Sequence, residues 1–231
     1  VAKTGQTTAI IGGTGSGKTT LVNLIPRFFD VTKGKVMVDG TDIREMSQES
    51  LREAIGYVPQ KGVLFSGTIA SNLRYGKEDA TKEQVMDAAR IAQAKEIIDG
   101  KKDGLDSAIA QGGSNVSGGQ KQRFSIARAI VKDPKIYIFD DSFSALDYKT
   151  DAILRRELSK KTKEAAVIIV AQRISTILHA EQIIVLDEGK VAGIGTHQEL
   201  FDHCAVYREI AESQLSEADI AKLKAQGKEV M

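Results

Sequence analysis

Between positions 12 and 19 the chain reads Gly12-Gly13-Thr14-Gly15-Ser16-Gly17-Lys18-Thr19: a glycine, four residues and then Gly-Lys-Thr. That spacing suits a loop that wraps an anion. Glycines let successive backbone N–H groups turn inward with no Cβ in the way, and a helix starting directly after them adds the positive end of its dipole. Lys18 is then placed to reach the β and γ phosphates of a nucleotide, and Thr19 to give its hydroxyl to Mg²⁺. Gly13, Thr14, Gly15, Ser16, Gly17 and Thr20 make up the remaining nucleotide contacts expected here. The competing reading is a glycine-rich structural turn, which the flanking strand and helix patterns argue against.

Three further groups have chemistry that could serve such a loop. Ile136-Tyr137-Ile138-Phe139-Asp140-Asp141 is a β-rich run ending in two carboxylates. Carboxylates beside a core strand cost burial energy unless a cation or solvent satisfies them, and Asp140 is expected to hold Mg²⁺ opposite Thr19. Gln60 ends the run Ile55-Gly56-Tyr57-Val58-Pro59-Gln60, at the carboxyl edge of a strand, where open α/β sheets bind ligands. Taken alone it is more often an ordinary solvated loop residue. Ser117-Gly118-Gly119-Gln120 opens a long helix over 121–131 and is a second helix start able to receive an anion or, by itself, a simple N-cap.

The elements that must position these residues follow from apolar periodicity. Residues 8–11 read as a buried strand and 20–25 as a helix; 36–43 form a hairpin around Asp39-Gly40, and 49–54 a short helix. Residues 68–75, 82–92 and 95–99 have helical spacing, with Thr81 and Gln84 as a capping box, and no strand signal occurs between Gln60 and Pro134. Residues 147–162 read as an amphipathic helix whose negative pole is met by Lys160, Lys161 and Lys163. Val167-Ile168-Ile169-Val170-Ala171 is a strand leading to Gln172, 183–191 a second hairpin, Thr196 and Glu199 the capping box of a short helix, and 215–226 a charged tail helix. His179, His197 and His203 lack ligand spacing and are expected at the surface. The fold class is therefore α/β: one domain over 1–231, with a core lobe from 1–60 and 132–231 and an inserted helical lobe over 61–131, since no Pro- or Ser-rich linker flanks that stretch.

Composition narrows the classes. A chain of 231 residues with 42% hydrophobic content can bury a sizeable core. Thirty-two basic against 31 acidic residues leave a net charge of +1, with no electrostatic footprint for nucleic acid or a membrane surface. Cys204 is the single cysteine, so a buried or half-buried thiol in a reducing compartment is expected. No apolar run approaches the roughly 18 residues that cross a bilayer, and no signal peptide is visible, so the chain alone is expected to be soluble. Its start at Val1, a few residues before a core strand, suggests a piece of something longer.

In order and spacing these motifs resemble the nucleotide-binding domain of ATP-binding cassette (ABC) transporters, over almost the whole chain. Residues 12–19 look like a Walker A motif, Gln60 like the Q-loop glutamine, 117–120 like the ABC signature, 136–140 like a Walker B strand, and Ser144-Ala145-Leu146-Asp147 like a D-loop. Leu64-Phe65-Ser66-Gly67-Thr68-Ile69 with Asn72-Leu73-Arg74 is similar to exporter-type domains fused behind a transmembrane domain. The resemblance implies a P-loop NTPase (RecA-like) core with a mixed sheet, an ABC-type β subdomain and an inserted helical subdomain. It also implies ATP and Mg²⁺ as ligands, a place on the cytoplasmic face of the cell membrane, and a head-to-tail dimer of two such domains sandwiching ATP. Ser117, Gly118 and Gly119 would serve the ATP of the second domain, with Gln120 and Asp147 counted among the nucleotide-binding residues. Gln60 would ligate Mg²⁺ or the attacking water and relay nucleotide state to the transmembrane domain. No aromatic among 1–11 could stack on adenine, so ATP rather than GTP rests on the resemblance.

Two positions depart from the family pattern. The general base is usually glutamate, and Asp141 is one methylene shorter. Gln172 stands where the switch histidine would; it can donate a hydrogen bond to a γ-phosphate but cannot carry a proton or a charge. Together they resemble the degenerate half of heterodimeric multidrug exporters, in which one composite site hydrolyses ATP and the other mostly holds it. The expected catalytic set is Asp141, Gln172 and Gln60, with slow hydrolysis at this chain's own Walker side. Val116, where leucine is commoner, is an apolar swap. A soluble ABC ATPase and a nucleotide-sensing module without useful turnover are the alternatives, and homodimer or heterodimer stays open.

Overall fold

The computed structural model describes residues 1–216 and residue 220. Its elements run β1 Thr7–Gly12, α1 Lys18–Asn23, β2 Met37–Val38, β3 Thr41–Asp42, α2 Gln48–Glu53, β4 Ile55–Val58, β5 Gly67–Thr68, α3 Ile69–Arg74, α4 Lys82–Ile91 and α5 Lys95–Asp99. They continue β6 Ala108–Ile109, α6 Gly118–Lys132, β7 Ile136–Asp140, α7 Tyr148–Lys161, β8 Ala166–Val170, α8 Ile174–Ile177, β9 Gln182–Asp187, β10 Lys190–Gly195, α9 His197–His203 and α10 Ala205–Gln214.

Six strands form one mixed sheet in the order β10-β9-β1-β8-β7-β4, in which every pairing is parallel except the β9–β10 hairpin. Both faces of this sheet are covered, which is why its strands read as continuous apolar runs rather than alternating ones. Ala9, Ile11, Tyr137, Phe139, Val167 and Ile169 face one apolar cluster, and Ile10, Ile138, Ile168 and Val170 face the other. The first cluster runs without a break into the helical stretch, taking in Ile69 and Leu73 of α3, Val85 and Ala88 of α4, and Phe124 and Ile126 of α6.

Local signals account for most boundaries. Thr81 and Gln84 form the expected capping box on α4, and Thr196 and Glu199 the one on α9. Asp39 and Gly40 both take positive φ, 48° and 81°, as the tight turn between β2 and β3 requires. Three expectations change. The helix placed at 20–25 starts at Lys18 and ends at Asn23, because Gly17 serves as its N-cap. Strand does occur between Gln60 and Pro134: β5 and β6 pair antiparallel, but at two residues each they carry no alternation to read. His197 is half-buried rather than at the surface, with Nδ1 hydrogen-bonded to the Tyr207 hydroxyl at 2.6 Å, and burial pulls its pKa down. The tail helix placed at 215–226 lies mostly outside the described residues. Cys204 is buried, as expected.

Phe124 is 1% exposed and joins α6 to the shared cluster. Phe124→Ala is expected to cost about 3–5 kcal/mol through lost burial and the cavity left behind, read as a lower urea midpoint with little change in slope.

Candidate functional site

Parallel pairing of β1, β8, β7 and β4 puts the carboxyl ends of all four strands on one edge of the sheet. The loop 13–17 leaves that edge after β1, Gln60 follows β4, Asp140 ends β7, and Gln172 follows β8. The sequence-predicted catalytic and metal residues therefore come together from four segments.

The glycine loop is shaped by two requirements. A Cβ on Gly12 would lie 2.1 Å from the Leu186 carbonyl oxygen, so β9 passes too close for any other residue. Gly17, the N-cap of α1, sits at φ 95°, a conformation L side chains rarely adopt. Lys18 folds back over the loop, its Nζ donating to the Gly12 and Gly13 carbonyls at 2.8 and 2.7 Å and to Ser16 Oγ at 3.4 Å. Burial pulls its ammonium below the ordinary lysine value, against the charges of Asp141 and Asp140. Gly13 and Gly15 have open space where a Cβ would stand, leaving the backbone approachable by a phosphate. Thr14 and Thr20 are exposed.

Thr19 Oγ1 donates to Asp140 Oδ1 at 3.0 Å, and the Tyr57 hydroxyl lies 3.3 Å from Asp140 Oδ2 and donates to Asn23 Oδ1 at 2.9 Å. Burial pushes the Asp140 carboxyl above its ordinary pKa, although the bonds from Thr19 and Tyr57 favour the charged form. A buried carboxylate paired with a hydroxyl, with no cation bonded to it, is a hard-oxygen donor set that suits Mg²⁺, which takes few protein ligands and completes its shell with water and phosphate. No cluster of three or more acidic, His or Cys ligands occurs among the described residues, so the donor set does not suit a fully protein-caged metal.

Asp141 is the second node. Its backbone takes φ 48°, its N–H donates to the Val170 carbonyl at 3.0 Å, and its side chain is buried. Oδ2 accepts from Gln60 Nε2 at 2.9 Å and from Gln172 Nε2 at 2.6 Å. Gln60 and Gln172 thus converge on one carboxylate oxygen although neither adjoins it in sequence.

The remaining predicted residues lie elsewhere. Ser117 caps α6: Oγ accepts the Gln120 N–H at 3.2 Å, and Gln120 Oε1 accepts the Ser117 N–H at 3.1 Å. Gly118 is exposed with nothing where a Cβ would stand, and Gly119 faces the Ala145 carbonyl. Asp147 caps α7 by accepting the Thr150 N–H at 2.9 Å, a bond that holds its carboxyl below the ordinary value. Among the described residues no hydrogen bond joins 117–120 or Asp147 to the 12–20 loop, so this chain does not by itself bring them to one point.

Sequence reasoning passed over several positioning residues. Tyr57 braces Asp140 against α1, the Ser142 hydroxyl donates to the Val58 carbonyl at 2.8 Å, and buried Gln122 donates to the Pro59 carbonyl at 3.0 Å, fixing the start of the Gln60 segment. Only the polar Tyr57 inside an otherwise apolar strand carried any signal. The raised pKa of Asp140 means that folding disfavours its ionised form: its stabilising contribution is full below the unfolded value and is lost as pH rises through the folded one. Asp140→Asn is therefore expected to raise the thermal midpoint of the ligand-free chain at pH 7 in calorimetry, while removing Mg²⁺-dependent nucleotide binding.

No helix among the described residues is long and apolar enough to cross a membrane. The family model described as ABC transporter matches residues 2–144. The chain is 50% identical over 222 residues to an uncharacterized ABC transporter ATP-binding protein of Mycobacterium tuberculosis, covering 95% of this chain and 38% of that protein. It is 40% identical over 213 residues to an ATP-dependent lipid A-core flippase of Chromobacterium violaceum, covering 92% of this chain and 36% of the relative. Among solved structures, a bacterial Atm1-family ABC exporter with ATP bound superposes with a TM-score of 0.90 at 38% identity, over 94% of this chain and 38% of that one. The chain thus spans less than two fifths of each of these proteins. With the glycine loop, the paired aspartates and the capped Ser-Gly-Gly helix all in place, the chain belongs to the ABC transporter family, as an ATP-binding domain of the exporter type.

Proposed function

We propose that this chain is the motor domain of an ABC exporter: it binds MgATP at residues 12–20 and drives transport by closing on a second ABC ATP-binding domain. The observation that carries this reading is the convergence of Lys18, Thr19, Asp140, Asp141, Gln60 and Gln172 at one edge of the sheet. In this reading the chain is a single domain, with 1–60 and 132–231 as its core lobe and 61–131 as its signature lobe.

Each residue has a definite task. Backbone N–H groups of 13–18 cradle the β and γ phosphates, and Lys18 exchanges its loop carbonyls for phosphate oxygens. Thr19, Asp140 and Gln60 hold Mg²⁺, which when bound offsets charge on the phosphates. Asp141 orients the attacking water and accepts its proton. Gln172 donates to the γ-phosphate. Ser117, Gly118, Gly119 and Gln120, with Asp147, project to the ATP of the second domain. That location explains why their own chain leaves them apart from the glycine loop. A transmembrane domain, to which Gln60 reports, holds this domain at the cytoplasmic face of the membrane.

Hydrolysis at this chain's own Walker side is slow. Asp141 is short for a base, and its Oδ2 is already engaged by two carboxamides, neither of which can take up a proton. Well-placed acid–base help is worth about 10²- to 10⁴-fold in rate. In a dimer whose other site is disabled, Asp141→Glu combined with Gln172→His is expected to raise single-turnover ATP hydrolysis at least about tenfold. An unchanged rate overturns the slow-site reading, and Lys18→Met should weaken ATP binding about tenfold or more if the phosphate grip is right.

A further inference from the structure

Gln172 sits on the short irregular segment between β8 and α8, and α8 is only four residues long, with an N-cap, Arg173, that supplies no side-chain hydrogen bond. The first N–H groups of a helix need outside partners. One side chain supplies such a partner here and grips the segment on both sides of Arg173. Gln214, the last residue of α10, accepts the Ile174 N–H on Oε1 at 2.9 Å and donates Nε2–H to the Gln172 carbonyl at 2.8 Å. Both halves of its carboxamide are used, and the two backbone groups it holds bracket a single residue.

The clamp has a firm base. Tyr207 and Ala211 of α10 are both 0% exposed, and α10 packs on α8, β1 and β9. Gln172 is therefore held from two directions: its backbone by Gln214, its side chain by Asp141. Ile174 and Ile177, 0% and 1% exposed, seat α8 in the core independently of the Gln214 side chain's two bonds to the backbone. What the clamp adds is the position of the Gln172 carbonyl, and with it the reach of the Gln172 carboxamide.

We propose that Gln214 is a positioning residue for ATP hydrolysis, acting through the 172–174 segment to aim Gln172 at Asp141 and the γ-phosphate. The inference rests on the reading of Gln172 given above and adds a group, 42 residues away, that neither motif nor spacing points to.

Gln214→Leu removes both bonds, while Gln214→Glu keeps an acceptor for the Ile174 N–H but sets an oxygen against the Gln172 carbonyl. For Gln214→Leu the expected results are fast amide exchange at Ile174, single-turnover hydrolysis slowed about tenfold, ATP affinity within about twofold, and no further slowing in a Gln172→Ala background. Gln214→Glu should keep Ile174 protected and fall between Gln214→Leu and the parent in rate. The inference is overturned if Gln214→Leu leaves the rate unchanged, slows it equally with and without Gln172, or leaves Ile174 protected. Failure of the functional reading looks different: Gln172→Ala itself then leaves binding and hydrolysis at parental values, and the inference falls with it.

Discussion

Thr19 and Asp140 stand 121 residues apart in the chain and 3.0 Å apart in space, and the rest of the site depends on that contact. Thr19 lies on α1, which follows β1, and Asp140 ends β7; β1 and β7 are not neighbours in the sheet. β8 lies between β1 and β7, and the parallel register Ile10↔Val170 and Asp140↔Val170 brings both strand ends to the same level. A one-residue slip of β7 would put Phe139 where Asp140 stands and turn the carboxylate into the apolar layer. Burial of both sheet faces forbids the slip: Tyr137 and Phe139 belong to one cluster and Ile138 to the other.

That placement concentrates negative charge at little direct compensation. Asp140 and Asp141 are 3% and 6% exposed, and the groups bonded to their side chains are neutral: two hydroxyls and two carboxamides. Lys18 contributes through space while its ammonium is satisfied by its own loop's carbonyls. Carboxylates held this way favour a cation, and the loop carbonyls hold the Lys18 ammonium at the mouth of the loop although burial disfavours its charge. The electrostatics of the edge are thus set for a metal ion and a polyanion arriving together.

The helical stretch is tied to the same edge rather than appended to it. Gln122 of α6 holds Pro59, next to Gln60. Six residues further on, Arg128 donates to the Asn72 and Val63 carbonyls and to Asn72 Oδ1, with its guanidinium over the rings of Phe65 and Tyr75. Burial pulls that guanidinium below its ordinary value, yet its hydrogen bonds and flanking rings keep it satisfied. Displacement of α6 would therefore be felt at Gln60, and through Gln60 at Asp141.

What could be read from the amino-acid order was whatever a short window can express. The glycine loop, the apolar runs, the capping boxes and the Asp-Gly turn each need only a few neighbouring residues, so the α/β class, the element order and most candidate site residues could be named from them. Their meeting was not. Convergence of Gln60 and Gln172 on one oxygen of Asp141, the brace from Tyr57 and the clamp from Gln214 join segments 31 to 83 residues apart. The β5–β6 pair and the burial of His197 against Tyr207 went unread for a related reason: two-residue strands and a single packed ring leave no periodic trace. Sequence determines which groups can bond. Which of them do is decided by strand order and register, because a hydrogen bond needs about 3 Å and only the packed sheet brings these groups within it.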